Sequence, residues 1–343
     1  MKGIILAGGS ATRIRPITDA VSKQLLPVYN KPMIYYPLSV LMLAGIRDVL
    51  IISTPEFTPF FMKLLDDGSQ FGMHIEYRIQ YNPNGLADAF LLGEKFINGD
   101  FCALILGDNI LWGEKLEDYL KEARENLNQG FATVFGRSVS NPKEFGVAVV
   151  DETTGLVTEL IEKPEKLVST TAVIGLYFYD KKVCGFAKEL QPSDRGELEI
   201  TDLNKKYADR RNLKLILLDE HDFHWHDAGS FMGLYNATES VLRNQSKTSM
   251  IAVPEEIAYK KGWISREELL KSAKKYEKSE YGKYLEWLAK DDDEKEKEKQ
   301  GAKEDVPTKE SLLNAREPKK MKKKAQENVR NEQFDNDLFK GEK

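Results

Sequence analysis

The chain has 343 residues, 41% hydrophobic and 31% charged, with a formal net charge of −5. That much apolar mass builds a real core and excludes wholesale disorder, while the length excludes a minimal binding module and leaves one large α/β domain with extensions or two modest domains. The acidic balance repels phosphate backbones and anionic membranes, so neither nucleic acid nor membrane is an expected partner, and any nucleotide needs a local cationic pocket.

In chain order, short apolar runs alternate with helical patterns: a strand over Gly3 to Ala7, a helix over Tyr36 to Ala44, a strand over Val49 to Ser53, a helix over Thr58 to Leu65 and a strand over His74 to Tyr77. Leu86 to Phe96 reads as a helix, and Cys102 to Leu106 as a buried strand ending in Gly107-Asp108. Strands apolar on both faces, separated by helices, predict an α/β fold with a mostly parallel sheet covered by helices. Further strands are expected over Ala132 to Gly136, Gly146 to Val150, Leu156 to Ile161, Ala172 to Tyr179 and Leu213 to Leu218, with helices over Glu199 to Tyr207 and Phe231 to Val241. From Glu255 to Lys290 the pattern is helical, with an apolar face that includes Trp263, Leu269, Tyr284, Leu285 and Trp287.

Residues 291–343 hold 14 Lys/Arg and 15 Asp/Glu, too charged to bury surface against ordering entropy, and are expected to be disordered or loosely helical. The basic cluster Lys319-Lys320-Met321-Lys322-Lys323-Lys324 within them reads as a solvated run without a role. The expected division is therefore an α/β core at 1–243, a C-terminal helical unit at 244–290 that serves as an interface, and a charged tail at 291–343. Two cysteines, Cys102 and Cys184, make no disulfide framework or thiolate metal site. With no apolar run near the roughly 18 residues of a membrane span and no leader before the first strand, the expected location is cytoplasmic.

Chemistry gathers after the first strand. Leu6-Ala7-Gly8-Gly9-Ser10-Ala11-Thr12-Arg13 is a small-residue turn whose backbone N–H groups can approach phosphate oxygens, with Arg13 as cation. It is neither the dinucleotide fingerprint nor a Walker-type loop, which disfavours hydride transfer and P-loop hydrolysis. Lys23, in Ser22-Lys23-Gln24-Leu25-Leu26-Pro27, offers a second cation near the same turn. Asp108 directly follows a buried strand and Gly107, where it reads equally as a hard oxygen ligand or a helix cap. Asp222, His224 and His226 share one face of an extended segment and form a lesser candidate for a transition metal, against a plain polar strand leading to Asp227.

The run Gly3 to Val28 with Asn30 to Leu38 resembles the sugar-phosphate nucleotidyltransferases, in detail their glucose-1-phosphate thymidylyltransferase branch. The similarity extends in family order through Gly85-Leu86-Ala87, Leu106 to Asn109, Glu162-Lys163-Pro164, Gly175 to Asp180, Arg195 to Asp202, Trp225 to Gly229 and Pro254 to Ala258, covering about residues 1–290. The resemblance implies a Rossmann-like core with a small β-rich sugar-binding part. It implies transfer of a thymidylyl group from dTTP to glucose 1-phosphate, releasing pyrophosphate with Mg²⁺ as cofactor, by a homotetramer.

By the same resemblance, Leu6, Gly8, Gly9, Ser10, Ala11, Thr12, Arg13, Lys23 and Gln24 hold the nucleotide, while Gln80 and Gly85 read its base. Arg13 and Lys23 neutralise the triphosphate, Lys163 and Arg195 hold the sugar phosphate, and Asp108 and Asp227 bind Mg²⁺. The sugar falls to Asn109, Gly146, Glu162, Val173 and Tyr177. Such residue types suit a reaction that joins anions whose charges sum to about −6, because only fixed cations and a dication overcome that repulsion.

Several positions depart from the family pattern, among them Ile14-Arg15-Pro16, which stands where Leu-Tyr-Pro is common and adds a cation near the turn. Ala11 stands where Gly is usual, and a φ above zero there would strain its Cβ by about 1 kcal/mol or more. Asp88 stands where Gln is common, bringing a carboxylate near the expected base site, and Tyr259-Lys260 stands where an aromatic and Arg are common. Alternatives left open are uridylyl transfer, another hexose 1-phosphate, or a weakened homologue that binds nucleotide sugars as a regulator.

Overall fold

In the computed structural model the described residues are 1–9 and 11–290, so Ser10 and the whole charged tail expected from 291 lie outside them. The chain enters at β1 (Lys2–Leu6), whose Ile4-Ile5-Leu6 run is apolar on both faces and therefore takes a central, doubly covered position. Three short 3₁₀ turns and a ribbon of β2 (Pro27–Val28) with β3 (Lys31–Pro32) lead into α1 (Tyr35–Leu43). That helix is apolar all round and is buried along nearly its whole length. Next come β4 (Asp48–Ser53), α2 (Thr58–Leu65), with a proline in its first turn, and β5 (His74–Ile79).

The single helix expected over 86–96 is two, α3 (Asp88–Leu92) and α4 (Glu94–Ile97). Gly93 divides them, and a Cβ there would stand 2.9 Å from the Ala89 carbonyl and 3.2 Å from Ile4 and Leu50 side-chain carbons, so glycine lets the chain lie close on the sheet. After β6 (Cys102–Leu106) and β7 (Asn109–Trp112) comes α5 (Leu116–Asn128), absent from the expected elements although Leu116, Leu120, Ala123 and Leu127 recur at helical spacing and are all buried. The rest of the sheet follows as β8 (Ala132–Ser138), β9 (Gly146–Val150), β10 (Val157–Glu162) and β11 (Thr171–Tyr179). Then come α6 (Val183–Lys188), α7 (Ile200–Ala208), β12 (Leu213–Leu217), β13 (His224–Asp227), α8 (Phe231–Asn244), α9 (Pro254–Lys260), α10 (Arg266–Lys275) and α11 (Glu280–Leu288).

One mixed sheet runs β10-β9-β11-β6-β1-β4-β5, with β8 pairing β11 and β12. β1 is parallel to β4 and β6, whereas β11 pairs antiparallel with β6, β8 and β9. The register aligns Ile4 with Leu50 and Leu104, and Ile5 with Ile51 and Ile105. The first row joins a core with Phe90, Tyr179 and Leu203, the second a core with Leu38, Leu41 and Leu120, so helices cover both faces. Leu269, Tyr284, Leu285 and Trp287 of the C-terminal helices belong to the second core, and Met1–Ala289 form one compact unit. Beyond the C-terminal ends of β1 and β6 lie the glycine-rich turn and Asp108, the place where ligands bind in open α/β sheets.

Candidate active site

The turn after β1 is fixed at its base by Ala7 N–H on Ile52 O, 2.8 Å, and by the Ser53 hydroxyl on Ala7 O, 3.0 Å. Gly9 has φ 98° and Ala11 has φ 42°, ψ 37°, so the turn does need a left-handed residue at the position where this chain has a Cβ. Thr18 Oγ1 donates to Ala11 O at 2.9 Å and helps hold that conformation. Thr12 and Arg13 then open a 3₁₀ turn and are exposed, and a cavity of ≈ 380 Å³ lined by Gly9, Ala11, Ser22 and Lys23 lies alongside.

Two carboxylates meet at the end of the β7–β13 ribbon. Asp227 stands opposite Asn109, and Ala228 N–H donates to the Asp108 carbonyl at 3.0 Å, which sets the two acids side by side. Lys23 Nζ donates to Asp108 Oδ2, and Asn109 Nδ2 donates to Asp108 Oδ1 at 3.2 Å. Burial pushes the Asp108 carboxyl up, but the Lys23 charge, with the hydrogen bonds from Lys23 and Asn109, outweighs it and holds Asp108 below its ordinary range. Asp227 is raised, by burial first and then by the Asp108 charge, against the opposing pull of the Gly229 N–H, Lys23 and Arg13. Two adjacent carboxylates are hard oxygen ligands of the kind that suits a divalent cation. Among the described residues no group of three His, Cys, Asp or Glu side chains could hold a metal.

Arg13 borders the same place: a Cβ built on Gly229 would fall 2.5 Å from Arg13 Nη2 and 2.8 Å from Asp227 Oδ1. Arg13 forms no ion pair among the described residues, so its charge is not committed within the chain. Asn109 does not turn its amide outward. Its Oδ1 accepts from Gly175 N–H, 3.1 Å, and from Trp225 Nε1, 2.8 Å, leaving the side chain as a brace behind Asp108.

A second cluster lies where β9 and β10 pair Gly146 with Glu162. Thr201 Oγ1 donates to Glu162 Oε2 at 2.6 Å, and a Cβ on Gly146 would come within 2.9 Å of that same oxygen, so glycine keeps the carboxylate free to sit there. Arg195 is gripped by Glu199 through both nitrogens of its fork, at 2.8 to 3.2 Å, and lies 3.9 Å from Glu162. Lys163, at φ 43°, has an exposed side chain with no ion pair among the described residues. Tyr177 is buried, and its hydroxyl is pushed up by burial and then by the charges of Glu162 and Asp108. Val173 is half-buried two residues along β11 from Gly175.

Residues 2–244 match the pattern of the nucleotidyl transferase family. The chain belongs to that family. It is 52% identical over 290 residues to the glucose-1-phosphate thymidylyltransferase of Xanthomonas campestris pv. campestris, covering 84% of this chain and 97% of that protein. The enzyme of the same name from Neisseria meningitidis serogroup A is 51% identical over 286 residues, covering 83% and 98%. Among solved structures, a Bacillus anthracis protein assigned as a glucose-1-phosphate thymidylyltransferase and crystallised with sucrose superposes with a TM-score of 0.65 at 39% identity, covering 72% of this chain and 96% of that one.

In this nucleotidyl transferase the remaining expected site residues fall into three places. Leu6 closes β1, with Gly107 N–H on its carbonyl at 2.9 Å, and Gln24 is buried with its Oε1 accepting from Ser22 Oγ at 2.8 Å. Gln80 follows β5, and its Oε1 would stand 3.2 Å from a Cβ on Gly8. Gly85, at φ 103°, passes against the Leu198 backbone so closely that a Cβ would be 2.4 Å from its carbonyl oxygen. Ser10 lies outside the described residues. The Asp88 carboxylate, which stands where Gln is common, is turned onto the Gln80 amide.

In the segment weighed for a transition metal, Asp222 and His224 have other partners, while His226 Nε2 is buried without a hydrogen bond among the described residues. Asp222 accepts from Lys115, and His224 stacks on Trp112 with centroids 3.7 Å apart. His226 is held down at about 4 by burial and by the nearby His224 and Arg137. Thr201, Glu199 and Trp225 hydrogen-bond to candidate site residues but were not themselves expected, although all three fall inside motifs that carry the family resemblance. Only their cross-strand and cross-helix partners distinguish them.

Proposed function

We propose that the chain transfers a thymidylyl group from dTTP to glucose 1-phosphate, giving dTDP-glucose and pyrophosphate. The observation that carries this reading is the convergence of Asp108, Asp227, Lys23 and Arg13 beside the glycine-rich turn, with a second cluster of Arg195 and Glu162, next to Lys163 in sequence. A phosphate oxygen of the sugar phosphate attacks the α-phosphorus in line, that P–O bond forms, and the bond from the α-phosphorus to the bridging oxygen of the β-phosphate breaks. Positioning and charge neutralisation supply nearly all of the acceleration, since no side chain needs to form a covalent intermediate.

Turn N–H groups from Gly8 to Thr12 cradle the triphosphate, and Arg13 takes the charge that builds on departing pyrophosphate. Lys23 bridges Asp108 and the phosphates. Asp108 and Asp227 would hold Mg²⁺, which would supply Lewis-acid stabilisation of the phosphoryl oxygens. Lys163 and Arg195 hold the attacking phosphate while Glu162, fixed by Thr201, accepts from sugar hydroxyls beside Gly146, Val173 and Tyr177. Gln80 and the Gly85 backbone read the base. Arg195 must exchange part of its grip on Glu199 for the phosphate, a swap between two charge-assisted hydrogen bonds.

The relatives' names support thymidylyl transfer over uridylyl transfer, and the test is product identification by mass spectrometry after incubation with equimolar dTTP and UTP, glucose 1-phosphate and Mg²⁺. We expect dTDP-glucose to dominate; UDP-glucose alone, or binding without any pyrophosphate, contradicts the reading. The proposal places the enzyme in the cytoplasm as a homotetramer. Exposed Phe231, Met232, Tyr235 and Leu242 on α8 support self-association, as do the unpaired cysteines a reducing compartment.

A further inference from the structure

Resting on the reading of Gln80 as the base-reading amide, we propose that Asp88 is a positioning residue that sets base specificity by deciding which end of that amide meets the base. Gln80 and Asp88 are each 7% exposed, and Gln80 Nε2 donates to Asp88 Oδ2 at 2.9 Å. Asn84 Nδ2 approaches the same oxygen at 3.5 Å. An ionised carboxylate only accepts hydrogen bonds, so the amide nitrogen must face Asp88 whichever way the side chain is first drawn. The carbonyl end is thereby turned toward the phosphate turn, where it would lie 3.2 Å from a Cβ on Gly8.

A fixed acceptor at that position matches a pyrimidine whose N3 carries hydrogen, as thymine and uracil do. Cytosine presents a lone pair at N3, and two acceptors facing each other in a dry site lose a hydrogen bond and gain repulsion. The glutamine common at position 88 in the family pattern either donates or accepts and leaves a neighbouring amide free to turn. Asp88 removes that freedom. The carboxylate in this chain therefore acts as a lock on Gln80 rather than as a charge against the nucleotide.

The test is the ratio of kcat/KM for dTTP to that for dCTP, measured on the full chain with saturating glucose 1-phosphate for the wild type, Gln80→Ala and Asp88→Asn. The ratio does not depend on the fraction of enzyme that is folded, and a purely structural role for Asp88 lowers both substrates alike. Both substitutions should lower the ratio by about tenfold or more, the worth of one buried hydrogen bond. A ratio lowered by Gln80→Ala and unchanged by Asp88→Asn overturns the lock and leaves the base-reading role intact. A ratio unchanged by Gln80→Ala overturns the base-reading role and the lock together.

Discussion

Ala11 is the residue at which local strain and function meet. Its left-handed conformation, φ 42° and ψ 37°, is one that glycine adopts freely and a Cβ opposes. Ala11→Gly should stabilise the fold by about 1 kcal/mol in chemical denaturation, because relief of that strain exceeds the added entropy of the unfolded glycine; a less stable variant contradicts this account of the turn. Lys31 poses a different problem, buried at 2% exposure against the Tyr36 ring with Asn30 and Gln245 amide oxygens as partners. Burial lowers its pKa from 10.5 to about 7 despite the opposing charges of Glu256 and Glu255. Between those two values the unfolded chain binds one proton more than the folded chain, so stability rises with pH there, by up to about 1.4 kcal/mol per unit. Below pH 7 both states are protonated and the penalty for burying the charge is complete. Lys31→Met should abolish that rise, compared by denaturant titration at pH 7, 8 and 9, and an unaltered slope would assign the dependence to other groups.

Between elements, the decisive junction is where β13 delivers Asp227 and α8 begins. A Cβ on Gly233 would lie 2.1 Å from the Asp227 carbonyl oxygen, and Ser230 caps the helix through Gly233 N–H at 3.0 Å. Gly233→Ala must push α8 away from β13, so it should lower stability by about 1–3 kcal/mol and turnover by more than about tenfold, read by thermal unfolding beside pyrophosphate release. Unchanged turnover would show that α8 does not hold the Asp227 carboxylate. The sheet itself was legible because Ile4-Ile5-Leu6, Leu50-Ile51-Ile52 and Leu104-Ile105 are apolar on both faces, and burial imposes that pattern directly. For the candidate site, only a set of residue types in chain order was legible. Which partner each one takes was not, because Thr201 meets Glu162 and Gln80 meets Asp88 only through strand register and loop closure. The division of 86–96 at Gly93 shows the same limit, since a glycine inside a helical pattern reveals a close approach only once the neighbouring strands are in place.

At the level of the whole molecule, the net charge of −5 opposes the approach of two anionic substrates, and the tail at 291–343, with 14 basic and 15 acidic residues, hardly alters that field. The Xanthomonas relative aligns over 97% of its own length with 84% of this chain. A chain ending at Lys290 should therefore keep its turnover within about twofold in the same assay, and a large loss would give the tail a part in the reaction. On the proposed reading the encounter of the substrates depends on the cations of the candidate site, with Asp108 and Asp227 as the residues that would hold a divalent cation. The most direct test is pyrophosphate release by the full chain, with dTTP and glucose 1-phosphate each omitted in turn, with and without Mg²⁺, beside Asp108→Asn and Asp227→Asn. We predict release that requires both substrates and Mg²⁺ and falls by about 10³-fold in each variant; release that survives the loss of either carboxylate, or of the metal, contradicts the mechanism.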